Sequence, residues 1–161
     1  MLHPSPLPKY RGGSPIQNQI INGEKKSKVT IFIMDDGMDT GPIIAQEDIS
    51  FKGSLKDIFK RISRVGYKLT KHILNNPMTP IVQNNSKATV FKRRLPQDSE
   101  ISLQETKAES LVYFYNKIRM LDGENYPKSF IDHGDIRIEF SSSSKKNDHI
   151  VATAKIFKLP K

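Results

Sequence analysis

The chain has 161 residues, 26 Lys+Arg against 17 Asp+Glu for a formal net charge of +9, 36% hydrophobic and 8% aromatic residues, and neither cysteine nor tryptophan. That length and apolar content suit one domain, or one with a small annex, with a core of Ile, Leu, Val and Phe, and argue against a disordered chain. The lack of cysteine excludes a disulfide framework, a thiolate nucleophile and a Cys-ligated metal site, and no apolar run approaches the roughly 20 residues that span a bilayer, so a soluble cytoplasmic protein with no membrane partner is expected.

Residues 3–15 carry prolines at 4, 6, 8 and 15 and the pair Gly12, Gly13, which predicts a rigid extended loop. Ser14 before Pro15 reads as an N-cap with proline at the first helical position, and Ile16 and Ile20 supply the apolar stripe of a short helix ending at Gly23. After a charged turn, the β-branched run 29–34 predicts a buried strand. A polar turn with Asp35, Asp36, Gly37, Asp39 and Gly41 follows, then a short apolar stretch at 43–45.

Ser54 with Asp57 forms a capping box, and Leu55, Ile58, Phe59, Ile62, Val65, Leu69 and Ile73 recur at steps of three or four, which predicts the clearest helix in the chain. Its other face carries Lys56, Lys60, Arg61, Arg64, Lys68 and Lys71. With no aromatic residue counted among them, a solvated face is favoured over a phosphate-binding strip. The stretch 75–85, with Pro77 and Pro80, reads as the end of that helix and a linker.

In the second half, Thr106 with Glu109 reads as the capping box of an amphipathic helix through Leu111, Phe114, Ile118 and Leu121. Ile136, Ile138 and Phe140 alternate with Arg137 and Glu139, and 149–157 is β-rich, so antiparallel strands around a Gly134 turn and a loop at 141–144 are expected. The charge is uneven. Residues 1–98 hold 16 basic and 8 acidic side chains and the remainder 10 and 9, so the first lobe would attract an anionic ligand.

Two segments combine ionisable side chains with sharp backbone: His3 within HPSPLPKYRGGSP and Asp39 within MDDGMDTGP. A histidine and a carboxylate meeting at loop ends form an acid–base pair suited to proton traffic in acyl transfer. Arg11, Gly12 and Gly13, at a helix entry, form a candidate substrate-binding group for an anionic or polar moiety. No histidine or carboxylate spacing makes a metal site, and the glycines match neither a P-loop nor GxGxxG.

Residues 3–17 together with Gly23-Glu24, Val29-Thr30 and the run 34–44 resemble the catalytic half of the folate-dependent formyltransferases, which include methionyl-tRNA formyltransferase and the sugar-nucleotide N-formyltransferases. Phe91-Lys-Arg-Arg-Leu-Pro, Ser99-Glu-Ile and the run 119–130 are similar to the tails of the sugar-modifying branch. The resemblance implies an α/β fold: the C-terminal portion of a Rossmann-like catalytic domain at 1–85, then a small α+β subdomain at 86–161. It implies transfer of a formyl group from 10-formyltetrahydrofolate to a primary amine, an amino sugar nucleotide being favoured over methionyl-tRNA. His3 would donate to the oxyanion and handle protons, with Asp39 setting its orientation. The asparagine of the family's Asn-x-His motif falls on Met1, and methionine has no amide donor. The upstream half, with much of the folate site, would be absent, so the chain is expected to be a fragment, a split-gene partner of a separate N-terminal polypeptide, or a relict, and to be inactive or incomplete alone. A non-catalytic binding or assembly module is the alternative.

Overall fold

The computed structural model describes residues 1–160 and divides the chain into two units, one of residues 1–19 and 24–93, the other of residues 20–23 and the chain from Arg94 onward. The division falls at Arg93/Arg94, beyond the 85/86 border read from the sequence. The reason is strand pairing: β5 (Val90–Phe91) lies parallel to β2 (Arg11–Gly12), with Arg11 opposite Val90, which ties the segment after residue 85 to the first unit.

The first unit is a three-stranded antiparallel sheet in the order β1 (Leu2–His3), β3 (Lys26–Phe32), β4 (Ile43–Ser50). β3 begins and ends earlier than the apolar run suggested. It begins earlier because Lys26 pairs with Ser50, and it ends at Phe32 because the Ile33 amide turns to the Pro42 carbonyl, 2.9 Å away. The short helix α1 (Pro15–Ile21) forms as expected, but Ser14 has φ 49° and so lacks the extended backbone of an N-cap. Helix α2 (Leu55–Asn75) packs on β3 and β4, buries Leu55, Ile58, Ile62 and Leu69, and carries the predicted Ser54–Asp57 capping box in full. Val29, Phe32, Ile49 and Phe51 complete this core. Among the described residues no helix is long and apolar enough to cross a membrane.

The second unit holds α3 (Leu103–Ala108), α4 (Leu111–Arg119) and the antiparallel meander β6 (Ser129–His133), β7 (Ile136–Lys145), β8 (Ile150–Lys158), with α4 packed on β7. Two expectations are corrected here. The capping box is Ser102 with Glu105, not Thr106 with Glu109. Thr106 lies inside α3, where its hydroxyl donates to the Leu103 carbonyl, and Ser110 caps α4. The serines at 141–144 are strand rather than loop, carried in β7 through a bulge at which Ser142 has φ 49° and its amide donates to Asp122.

Glu105 also explains why its box wins. Its Oε1 accepts from the Lys117 ammonium and from the Tyr113 hydroxyl, each at 2.5 Å, and Lys117 is 2% exposed. Partial burial pushes the Glu105 carboxyl up, but hydrogen bonds from Lys117, Tyr113 and the Ser102 amide outweigh it and hold it below the usual carboxylate range. Burial and the bond to Glu105 push the Tyr113 phenol well up. Lys117→Met should destabilise the fold by about 3 kcal/mol in urea or thermal melts, the low end for a broken buried pair because Glu105 keeps some solvent. The Glu105 contribution is complete above its unfolded pKa and is lost as pH falls through the lower folded value, so the variant's deficit should shrink on acidification. A deficit that does not change with pH would show that packing alone is responsible.

Candidate active site

His3 ends β1, where the register sets it opposite Thr30, and its side chain is 7% exposed. Asp39 stands on the loop between β3 and β4. The fold brings the pair together, with His3 Nδ1 3.5 Å from Asp39 Oδ2. His3 Nε2 lies 2.8 Å from the Tyr10 carbonyl oxygen. A carbonyl only accepts, so Nε2 carries the proton, and Nδ1 is the nitrogen that takes up or releases a second one. Both ring nitrogens are thus turned inward. This differs from the expected oxyanion donor: in this arrangement the imidazole stands behind Asp39, and donation from Nε2 to a substrate would first require breaking the Tyr10 contact.

Asp39 Oδ2 accepts from the Gly12 amide at 2.8 Å, and Oδ1 has no hydrogen-bond partner among the described residues. The carboxylate is one wall of a cavity of about 670 Å³ whose other walls include Gly12, Gly13, Met38, Val90 and Phe91, with Lys92 and Arg93 also lining it. His3 does not line it. With a proton acceptor at the cavity and an imidazole behind it, the arrangement can take a proton from a group bound in the cavity while His3 steadies the carboxylate.

The backbone around the pair is held in costly conformations. Tyr10 at φ 60° and Asp39 at φ 56° are non-glycine residues in the left-handed region, each at a cost of roughly 1–3 kcal/mol. Tyr10 is fixed by its amide on the Thr89 hydroxyl at 2.8 Å and by stacking on Phe91, ring centroids 4.9 Å apart. Asp39 is fixed by Gln83, whose Nε2 donates to the carbonyls of Asp39 and Gly41 at 2.9 and 2.7 Å. The sequence does not single out Gln83. It lies in the stretch read as a linker, and nothing in its neighbours' spacing marks it.

Arg11, Gly12 and Gly13, expected to receive a substrate anion, have other partners. The Arg11 guanidinium is buried and donates to Gln83 Oε1 from Nε at 3.1 Å and Nη2 at 2.7 Å, and to Asn85 Oδ1 at 2.9 Å. The Gly12 amide holds Asp39, and the Gly13 amide donates to the Phe91 carbonyl at 2.8 Å. Glycine is required at both positions for close approach. A Cβ on Gly12, at φ 89°, would strike the Phe91 carbonyl oxygen, and one on Gly13 would strike the Arg93 backbone. Gly12 and Gly13 therefore form part of the cavity wall, and Arg11 ties Gln83 and Asn85 to the same segment. Among the described residues no group of three or more His, Asp or Glu side chains could hold a metal ion.

Residues 1–74 match the profile of the formyl transferase family, and residues 96–157 match that of the methionyl-tRNA formyltransferase C-terminal domain. The solved methionyl-tRNA formyltransferase of Clostridium thermocellum is 41% identical, with a TM-score of 0.89 over 98% of this chain and 67% of that one. This chain belongs to the formyl transferase family. The methionyl-tRNA formyltransferase of Nitratiruptor sp. is 35% identical over 137 residues, 83% of this chain and 43% of the relative. The chain thus spans less than half the length of the first curated relatives it matches. An N-formyltransferase from Helicobacter canadensis, solved with folinic acid and dTDP-3-aminofucose, is 22% identical with a TM-score of 0.67 over 98% of this chain and 64% of that one, and shows the shared fold. The mixed α/β architecture, part of a Rossmann-like domain and a small C-terminal β unit, is the one the sequence leads one to expect.

Proposed function

We propose that this family member takes part in formyl transfer from 10-formyltetrahydrofolate to the amine of methionyl-tRNA, as the Asp39- and His3-bearing part of a formyltransferase site. The observation that carries the chemistry is Asp39: one oxygen is held by the Gly12 amide, the other has no partner among the described residues, and the carboxylate forms a wall of an apolar cavity with His3 behind it. The donor set fits a formyl donor, because a carbon already activated for attack needs no side-chain nucleophile, only a proton acceptor and a place to sit. When bound, 10-formyltetrahydrofolate supplies that activated carbon. Asp39 Oδ1 would accept the proton that the amine loses as it attacks and return it to the nitrogen of the departing tetrahydrofolate, while His3 Nδ1, 3.5 Å from Oδ2, steadies the carboxylate. Gln83 and Arg11 keep the Asp39 loop in place.

The acceptor reading departs from the amino sugar nucleotide favoured on the motifs, near-neutral charge and short length of the tail. The Clostridium and Nitratiruptor relatives are methionyl-tRNA formyltransferases, and the C-terminal profile is theirs. An acceptor competition tests it: the chain, complemented by the remaining segment of the Nitratiruptor enzyme, is given 10-formyltetrahydrofolate with methionyl-tRNA and an amino sugar nucleotide together. Formylation of methionyl-tRNA at least about tenfold faster in kcat/KM is expected, a preference of roughly 1.4 kcal/mol. Preference for the sugar would overturn the acceptor.

A further inference from the structure

We propose that the outer face of α2 is a binding strip for an RNA strand, with phosphates on its cations and an unpaired base on Tyr67. The solvated-face reading rests on the absence of an interleaved aromatic residue, and the structure supplies one. Tyr67 is 71% exposed and lies three residues from Arg64, four from Lys71 and seven from Lys60, so all four side chains emerge on one side of the helix. Lys56, Lys60, Arg64 and Lys68 follow at every fourth position, about 6 Å apart along the axis, which gives a row of cations rather than a cluster.

The cations of this row are largely uncommitted. Lys68 is paired with Glu47 at 2.6 Å, and Asp57 is engaged at the Ser54 cap. Among the described residues Lys56, Lys60, Arg64 and Lys71 have no carboxylate within 4 Å, and Tyr67 has neither a ring nor a hydrogen-bond partner. A groove of about 520 Å³ between α2 and β4 runs beside them, with Ile49 and Val65 in its floor and Arg61 at its side. An exposed aromatic ring set in a line of cations beside an apolar groove is the chemistry that holds single-stranded nucleic acid: ring faces take bases, cations take the backbone. The groove beside the strip shares no lining residue with the cavity at Asp39, so the strip would hold the RNA and not the reacting amine. Which RNA is bound rests on the proposed tRNA acceptor; the strip itself does not.

The test is fluorescence anisotropy on the full chain with tRNA and with a single-stranded RNA oligonucleotide, across a salt series and without formyl donor. Replacing Lys60, Arg64 and Lys71 together by Gln should weaken binding and reduce the slope of log K against log salt by about 2, roughly 0.7 per lost phosphate contact. Tyr67→Ala should weaken the oligonucleotide by about fivefold to a hundredfold, the span typical of one stacked base, and Tyr67→Phe should not. All four positions are exposed, so thermal melts should match the parent protein. An unchanged triple variant would overturn the strip. A Tyr67→Ala effect absent for RNA, or equal for heparin, would reduce it to general polyanion attraction and overturn the RNA reading, as would tighter binding to anionic phospholipid vesicles. In the enzyme complemented by the relative's remaining segment, strip-dependent RNA binding with no formylation of methionyl-tRNA would sink only the acceptor reading, and formylation of methionyl-tRNA with RNA binding unaffected by the triple variant would sink only the strip.

Discussion

Purified as the 161-residue chain, this protein should transfer formyl groups at least about 10⁵-fold more slowly than the same chain complemented by the remaining segment of a relative such as the Nitratiruptor enzyme. The chain carries Asp39 and His3, yet it corresponds to 43% of that relative's length. Holding two reactants in attack geometry is worth roughly 7–11 kcal/mol, whereas one oxyanion hydrogen bond is worth about 3–4. Positioning of the formyl donor therefore has the larger effect, and Met1 in place of the family's asparagine the smaller. Met1→Asn, made behind an added initiator, should leave the isolated chain inactive, because the Met1 side chain is exposed and an amide there would have nothing bound to act on. A complementing segment that ends in Asn-x and replaces Met1 and Leu2 should restore turnover. Formyl transfer followed with labelled donor reads all three forms, and rapid turnover by the unmodified chain would show that the donor is held by residues within it.

In the complemented enzyme, Asp39→Asn should lower kcat by roughly 10²- to 10⁴-fold with little change in KM, the range for losing a positioned proton acceptor. The substitution is nearly isosteric, and the amide oxygen can still accept from the Gly12 N–H, so the loop and the cavity wall should survive. His3→Gln should cost less than Asp39→Asn. In the observed arrangement His3 acts through Asp39 and does not line the cavity, and glutamine can still donate to the Tyr10 carbonyl. The reverse order, with the histidine variant the more damaged, would mean that His3 leaves the Tyr10 carbonyl to meet the substrate and would restore the oxyanion role that the family resemblance implied.

Much of the secondary structure is legible in the sequence because its signals are local. The Ser54–Asp57 box and the apolar spacing after it place α2 to within a residue, and the alternation at 136–140 marks β7. Where two local signals compete, the sequence is ambiguous: Ser102–Glu105 and Thr106–Glu109 are both capping boxes by spacing. The first is used because Glu105 also serves the buried Lys117 ammonium and the Tyr113 hydroxyl, partners 12 and 8 residues on that no cap motif announces.

The candidate site divides the same way. Proline-rich turns and the Asp-Thr-Gly loop point to His3 and Asp39 as sharp-backbone positions with ionisable side chains, and the family pattern pairs them. Arg11, Gly12 and Gly13 stand out in the sequence, but not for the contacts they make. Their partners come from 27 to 78 residues away: Asp39 on the Gly12 amide, Gln83 and Asn85 on the Arg11 guanidinium, Phe91 on Gly13. By itself, then, the sequence determined the longer helix and the main strands, which residues can carry protons, and where the charge lies, because propensity, capping and periodicity act within a few residues of the chain. Only the tertiary structure decided that Gln83 holds the Asp39 loop, that His3 turns both nitrogens inward, and that Tyr67 stands exposed among the cations of α2, because a polar group's partner and a ring's exposure depend on which distant segments the fold packs beside them.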